Sequence, residues 1–320
     1  MGFYLVTGGA GFIGSHLVDA LVERGHRVRV FDNFSTGHRH NLEHHGDRVE
    51  VVDGDVTDLE AVRRAARGVE VVFHQAALAS VPRSVANPLA THRACADGTL
   101  HVLIASRDAG VRRVVYAASS SAYGNSVKLP KSEGDPTAPL SPYAVAKLAG
   151  EQYCAAFSEV YRLETVRLRY FNVFGPRQSP ESQYAAVIPK FIQWMTTGQR
   201  PVVHGDGQQS RDFTFVADVV QANLLAADAT GVSGRVYNVA CGRRTSLVEL
   251  VEQLNRLLGT NLQPTHTPTR AGDVQHSLAD IERARKDLGY RPTTDVPTGL
   301  RHCLEWWRQG TPSRQTVAVA

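Results

Sequence analysis

Cysteine is scarce and scattered, with four residues in a chain of 320, at Cys95, Cys154, Cys241 and Cys303. None stands at the paired spacing of a zinc site or in a disulfide framework, so isolated thiols in a reducing compartment are expected. An excess of one charge is also missing. Basic residues exceed acidic ones by only +4, without clustering, which argues against a nucleic-acid partner. Long apolar runs are absent too. Residues 114–118 and 184–188 are among the longest, far short of the ~20 that cross a membrane. The start, Met1-Gly2-Phe3-Tyr4-Leu5-Val6-Thr7, has no basic stretch or cleavage pattern and reads as a first strand, so a cytoplasmic protein is expected. What is present, 42% hydrophobic and 21% charged residues, suits a folded core. The length suits two domains, or one large α/β unit with an appendage.

Short β-rich runs at 3–7, 27–31, 49–53, 71–74 and 114–118 alternate with helical patterns at 14–24, 59–67, 90–109 and 142–161. Such alternation predicts a parallel sheet covered on both faces. Another strand is expected at 165–171. The pattern then loosens into a loop at 175–183, a helix at 187–197, a strand at 235–240 and helices at 246–258 and 277–288. The expected fold is α/β, a doubly wound parallel sheet with a smaller, interleaved C-terminal lobe. The sheet domain takes 1–174 and about 210–240, the lobe 175–209 and 241–312, and 313–320 is a tail.

Thr7-Gly8-Gly9-Ala10-Gly11-Phe12-Ile13-Gly14 follows the first strand and opens the first helix. Glycines at this turn let the backbone approach a pyrophosphate, which the helix N-terminus favours. The pattern alone is weak, but here strand, loop, helix and second strand are all in order. The second strand ends at Asp32, about where an acidic residue binds ribose hydroxyls. That carboxylate would repel a 2′-phosphate, so NAD is favoured, although Arg27, Arg29, His38, Arg39 and His40 nearby leave NADP open. The expected cofactor contacts here are Gly8, Gly11, Phe12, Ile13, Gly14, Asp32 and Asn33, with Asp55 and Val56 after the third strand.

Tyr143-Ala144-Val145-Ala146-Lys147 puts tyrosine and lysine on one helical face, one turn apart. A neighbouring ammonium stabilises phenolate, and a cationic nicotinamide adds to the effect, so a tyrosine of ordinary pKa ~10 can act as a base near neutral pH. The pair alone is common on surface helices. It gains meaning from Ser119-Ser120-Ser121-Ala122-Tyr123-Gly124, which puts hydroxyls at the C-terminal edge of the sheet.

Glycine loop, strand-end serines and Tyr-x-x-x-Lys, in this order, resemble the extended short-chain dehydrogenase/reductase superfamily, which has a Rossmann fold. Further matches are His74-Gln75-Ala76-Ala77, Arg169-Tyr170-Phe171-Asn172-Val173-Phe174-Gly175, Gly205-Asp206-Gly207, Ser210-Arg211-Asp212-Phe213 and Arg270-Ala271-Gly272-Asp273. Together they look like a nucleotide-diphosphate-sugar 4-epimerase. The resemblance implies an NAD-binding sheet domain, contacted also by Ala76 and Ala77, and a UDP-sugar-binding lobe. It implies that Asn172 meets the diphosphate and that Arg211 and Arg270 clamp the phosphates. Ser119 would bond the sugar O4, Tyr143 would take its proton, and Lys147 would hold the nicotinamide ribose. Related dehydratases carry an acidic pair after the catalytic Ser/Thr, and sugar-acid decarboxylases a glutamate. Ser120 and Ser121 stand there instead and cannot serve as carboxylate acids or bases.

A narrower likeness rests on Ala77-Leu78-Ala79-Ser80-Val81-Pro82-Arg83-Ser84, Tyr184-Ala185-Ala186-Val187-Ile188-Pro189 and His276-Ser277-Leu278-Ala279-Asp280. These look like UDP-N-acetylglucosamine 4-epimerases, where a small residue matching Ser277 admits a C2 acetamido group and a tyrosine excludes it. Ser277 also reads as a helix N-cap ahead of Asp280. Expected substrate contacts are Ala79, Ser80, Ser119, Ser120, Ser121, Tyr143, Asn172, Val187, Arg211, Arg270, Asp273 and Ser277. Cys95 is expected near the nicotinamide as a small filler, with no base beside it to make it a nucleophile. The superfamily pairs helices equivalent to 90–109 and 142–161 in an intersubunit four-helix bundle, so a homodimer is implied. His38, His40, His44 and His45 are spaced poorly for a closed metal site, and no metal is expected. Trp306 and Trp307 are expected to pack one face of a final helix.

Overall fold

A computed structural model of the protein describes residues 1–180, 186–269 and 275–310. Seven strands form one parallel sheet: β1 (Phe3–Thr7), β2 (Arg27–Asp32), β3 (Val49–Asp53), β4 (Val71–His74), β5 (Arg113–Ser119), β6 (Glu164–Tyr170) and β7 (Arg235–Val239). Their order is β7-β6-β5-β4-β1-β2-β3. It reverses direction between β1 and β4, the place where a doubly wound sheet opens a crevice at its C-terminal edge. Continuous apolar runs make the central strands β1, β4 and β5, where both faces are covered, whereas the edge strand β3 is partly exposed. β4 is buried throughout, and so is β5 up to Ser119.

On one face lie α1 (Phe12–Glu23) and α8 (Val216–Asp228), whose Leu17, Leu21, Val219 and Ala222 join the core. The other face carries α2 (Leu59–Ala66), α5 (Gly98–Asp108) and α6 (Pro142–Tyr161), through residues such as Val62, Val102 and Phe157. Preceding α5 are α3 (Val81–Ala86), α4 (Pro88–His92) and a π-turn, Arg93–Asp97, so the helix expected at 90–109 is three joined pieces. Ser141 starts α6. Its hydroxyl accepts from the Ala144 N–H at 3.2 Å and Pro142 fills the first turn, which sets the phase of Tyr143 and Lys147.

A second core gathers α7 (Val187–Thr196), α9 (Leu247–Leu258) and α11 (Val296–Arg308) around Phe191, Leu250, Leu254 and Leu300. Trp307 packs against it as expected. Short strand pairs stitch this half together: Thr265–Thr267 with Val202–His204, Thr245–Ser246 with Ser210–Arg211, and Thr214–Phe215 with Val173–Phe174. The helix expected at 277–288 is shorter, α10 (Glu282–Leu288). Ser277 is therefore not a helix cap. Residues 276–280 are extended because distant partners take their backbone: Ser277 N–H donates to Ser210 O at 3.0 Å, and Asp280 N–H to Lys131 O at 2.9 Å. No helix among the described residues is long and apolar enough to cross a membrane.

Candidate active site

A cavity of about 1250 Å³ runs along the C-terminal edge of the sheet, from Asp32 and Asp55 at one end to Asn172, Arg211 and Ser277 at the other. One ligand needs roughly 300–1,000 Å³, so there is room for two. The glycine turn forms one wall. A Cβ on Gly14 would come within 2.1 Å of the Gly8 carbonyl oxygen, and one on Gly8, which has φ +69°, within 2.7 Å of the Ala76 backbone. Gly11 caps α1 without a side-chain bond, and no acidic residue sits in the first turn, which leaves that helix end suited to an anion. Asp32 accepts from the Ala10 N–H at 2.9 Å and the Phe34 N–H at 2.8 Å. Burial raises its pKa despite those bonds. Burial also acts on Asp55, but bonds from Thr57 and Asn33 prevail and hold its carboxyl below the usual range. Gly8, Gly11, Phe12, Ile13, Gly14, Asp32, Asn33, Asp55, Val56, Ala76 and Ala77 all line this part. A groove that side chains would fill, an unopposed helix N-terminus and a carboxylate at the end of β2 fit a dinucleotide.

Ser119, Ser120, Ser121, Tyr143 and Lys147 line the middle of the cavity. Ser121 donates twice to Ser119 Oγ, from its hydroxyl at 2.8 Å and its N–H at 3.2 Å, so the Ser119 proton is left to donate elsewhere. Burial pushes the Tyr143 phenol well up, and its hydrogen bond with Ser119 pulls the other way. Burial lowers the Lys147 ammonium, whose Nζ lies 4.4 Å over the Tyr116 ring. His74 is neutral: burial and then Lys147 push it down to about 3, and its ring bonds Thr7 and Thr99. Cys95 is fully buried in the π-turn, beside Ala96, Ala146 and Tyr143, and burial raises its thiol, in keeping with a filler.

Ala79, Ser80, Asn172, Arg211 and Ser277 line the far end. Val187, half-buried at the start of α7, packs against the lobe's core, and its neighbour Ala186 lines the cavity. Arg270 and Asp273 lie outside the described residues. Two residues went unassigned in the sequence. Lys131 lines the wall and donates to Ser126 O at 3.1 Å, with no local motif to mark it. Asp212 is buried and accepts from the N–H groups of Cys241, Gly242 and Ala279 at 2.9, 3.1 and 3.1 Å. Its place beside Arg211 in a matched motif was the available signal.

Fold and site together define a Rossmann protein whose cavity brings a serine triplet, a tyrosine and a lysine together between its two ends. The sequence matches the NAD dependent epimerase/dehydratase family over residues 4–240. A UDP-N-acetylglucosamine 4-epimerase from Methanobrevibacter ruminantium, in complex with UDP-N-acetylmuramic acid, superposes with a TM-score of 0.93 at 39% identity, covering 97% of this chain and 99% of that one. A UDP-glucose 4-epimerase from Thermotoga maritima gives 0.91 at 38% identity, covering 96% and 99%. The UDP-glucose 4-epimerase of Mycolicibacterium smegmatis is 39% identical over 308 residues, 95% of this chain and 98% of its own. The chain belongs to the NAD dependent epimerase/dehydratase family. It is an isomerase of that family's extended short-chain type, with NAD as cofactor.

Proposed function

We propose that the protein is a UDP-sugar 4-epimerase, that UDP-N-acetylglucosamine and UDP-N-acetylgalactosamine are its preferred pair, and that it works as a cytoplasmic homodimer. One observation carries the reaction type. Among the described residues that line the cavity, the only carboxylates are Asp32 and Asp55, both at the adenosine end. The reacting end offers serine hydroxyls, a phenol and an ammonium. That set moves a proton at one oxygen but lacks the acid or base a dehydratase or decarboxylase needs.

The glycine turn and Asp32 would hold NAD, which would supply a reversible hydride acceptor for C4. Tyr143 accepts the O4 proton in the first half of the cycle and returns it in the second. Ser119, fixed by Ser121, donates to O4 or to Tyr143 and keeps the two oxygens in line. Lys147 favours the phenolate by its charge and is assigned to the cofactor ribose. Asn172 and Arg211 are assigned to the diphosphate, and Ala79, Ser80 and Ser277 to the sugar. Walls this small leave the keto sugar room to present its other face.

The acetamido preference rests on Ser277, a small residue on the cavity wall. The named activity of the Methanobrevibacter neighbour supports it too. A division into 1–174 with 210–240 and 175–209 with 241–312 is part of the reading. The dimer is supported by exposed Val85 on α3, Leu89 on α4, and Val145, Val160 and Tyr161 on α6. Incubating purified protein separately with UDP-N-acetylglucosamine, UDP-glucose and UDP-glucuronate, and reading products by NMR, tests the substrate. Fastest turnover of the first is expected, and exclusive turnover of the glucuronate would overturn the preference. Mass spectrometry of the cofactor released on denaturation should find NAD, while a majority of NADP would displace Asp32 as the discriminating group.

A further inference from the structure

A second cluster of chemistry-bearing side chains lies away from the cavity. Asp19 stands on α1, and His44 and His45 on the helical turn Glu43–Arg48. Nε2 of His44 lies 2.9 Å and Nε2 of His45 2.8 Å from the same oxygen, Oδ1 of Asp19. The other oxygen, Oδ2, pairs with Arg177 at 2.8 Å. One donor atom from each of the three residues falls within 4.8 Å of the others. The His45 side chain is only 4% exposed, and its Nδ1 is buried with no hydrogen-bond partner among the described residues. Among them, Asp19 is the one polar group hydrogen-bonded to that ring. The histidine spacing alone gave no reason to expect a site. The third ligand comes from a helix that the fold brings alongside.

We propose that Asp19, His44 and His45 form a site for a borderline divalent transition metal such as Zn²⁺. Two imidazole nitrogens and a carboxylate oxygen are a donor set that zinc accepts, with solvent in the fourth position. With bonds of about 2.0–2.2 Å, a tetrahedral ion keeps its ligand atoms roughly 3.3–3.5 Å apart. The two nitrogens must therefore draw back from the carboxylate oxygen by about half an ångström. The His44 side chain, 48% exposed, has room to do so. Asp19 ligates through Oδ1 alone, and Arg177 stays on Oδ2 as the outer partner that fixes the carboxylate. Arg177 and Arg48 also face the cluster, and their charge opposes a cation, so affinity should be weaker than in a closed structural site. Mg²⁺ prefers oxygen ligands and should not compete.

The test is equilibrium dialysis of chelator-stripped full-length protein against micromolar zinc, read by elemental analysis and repeated with Co²⁺ for its visible absorption. One metal per chain is expected, with a four-coordinate cobalt spectrum. His44→Ala removes an exposed ligand and should keep the fold. It should weaken binding at least roughly tenfold, as should Asp19→Asn. His38→Ala alters the separate, stacked His38–His40 pair and should leave binding unchanged. Equal zinc uptake by wild type and His44→Ala, no uptake by wild type, or loss caused by His38→Ala would each overturn the site.

Discussion

The two ends of the cavity are built by different means. At the nucleotide end the wall is built on neighbouring strand ends, with Gly8 and Gly14 packed against backbone and Asp32 tied to two N–H groups. At the sugar end the wall comes from separate segments that carry Ser121, Lys131, Asn172, Arg211 and Ser277. Asp212 ties several of them together. Its carboxylate holds the backbone at Cys241, Gly242 and Ala279, and its carbonyl accepts from the Asn172 amide at 3.3 Å. The glycine turn has no side chain to exchange and Asp32 is pinned by its backbone bonds, so change there removes binding. A side-chain-built end can be retuned one residue at a time. On that difference, cofactor choice should be stiff and sugar choice adjustable.

The largest effect should come where the two ends meet. Tyr143→Phe keeps the ring and removes the oxygen that carries the proton, so turnover should fall roughly a hundred- to ten-thousandfold with cofactor still bound. Near-normal turnover, measured by product NMR, would remove Tyr143 from the reaction. Next in size is Gly14→Ala. Its methyl would meet a carbonyl oxygen at 2.1 Å. Relief of such crowding costs about 1–3 kcal/mol, or about ten- to a hundredfold in cofactor affinity, measurable by calorimetry. Unimpaired affinity would show that the turn yields and that this end is not the stiff one.

The same contrast explains what the sequence disclosed. β1 and β4 coincide with the apolar runs that marked them, because strands buried on both faces leave a purely local signature, and the edge strand β3 coincides with its run although it is partly exposed. The glycine turn was legible for the same reason, since its steric demand falls on adjacent residues. The sugar end was legible only in part. Ala79, Ser80, Asn172, Arg211 and Ser277 line the cavity as the motifs suggested, but Ser277 also read as a helix cap because nothing in its own segment records that Ser210 and Lys131 hold the backbone extended. Val187 read as a wall residue, and its packing against the lobe's core at the first turn of α7 is not recorded in its local motif. Lys131 reaches the cavity through pairing with residues 278–280 and carries no motif. The π-turn at Arg93–Asp97 left no trace in a smooth helical pattern.

Ser277→Tyr tests the adjustable end directly. If the sugar C2 group lies beside Ser277, a ring there should cost about 1–3 kcal/mol, or about ten- to a hundredfold in kcat/KM, for the acetamido substrate alone. UDP-glucose should be largely spared. An equal loss on both substrates would mark Ser277 as a fold residue, and an unchanged ratio would place the C2 group elsewhere.

The smallest effect concerns the tie itself. Burial pushes the Asp212 carboxyl up to about 7, against the backbone N–H groups that hold it down. The folded state then keeps a proton that the unfolded state releases at an ordinary carboxylate pKa of ~3.9. By linkage, this group's contribution to stability is fully present below that value and is lost as pH rises through about 7. The slope cannot exceed roughly 1.4 kcal/mol per pH unit for one proton. Wild-type Tm should therefore carry a component that declines between about pH 4 and 7 and levels off above, on the order of 2–4 °C per unit at most. Asp212→Asn has no proton to lose and should show a flatter profile. It should also start lower, because an amide turns one of its two acceptor positions into a donor facing an N–H, at about 1–3 kcal/mol. Parallel Tm profiles for the two proteins would mean that the N–H groups outweigh burial and that Asp212 stays ionised throughout. Ser277, held through the Ala279 N–H, gives a second readout: the variant should raise KM for the UDP-sugar several-fold while NAD affinity is unchanged.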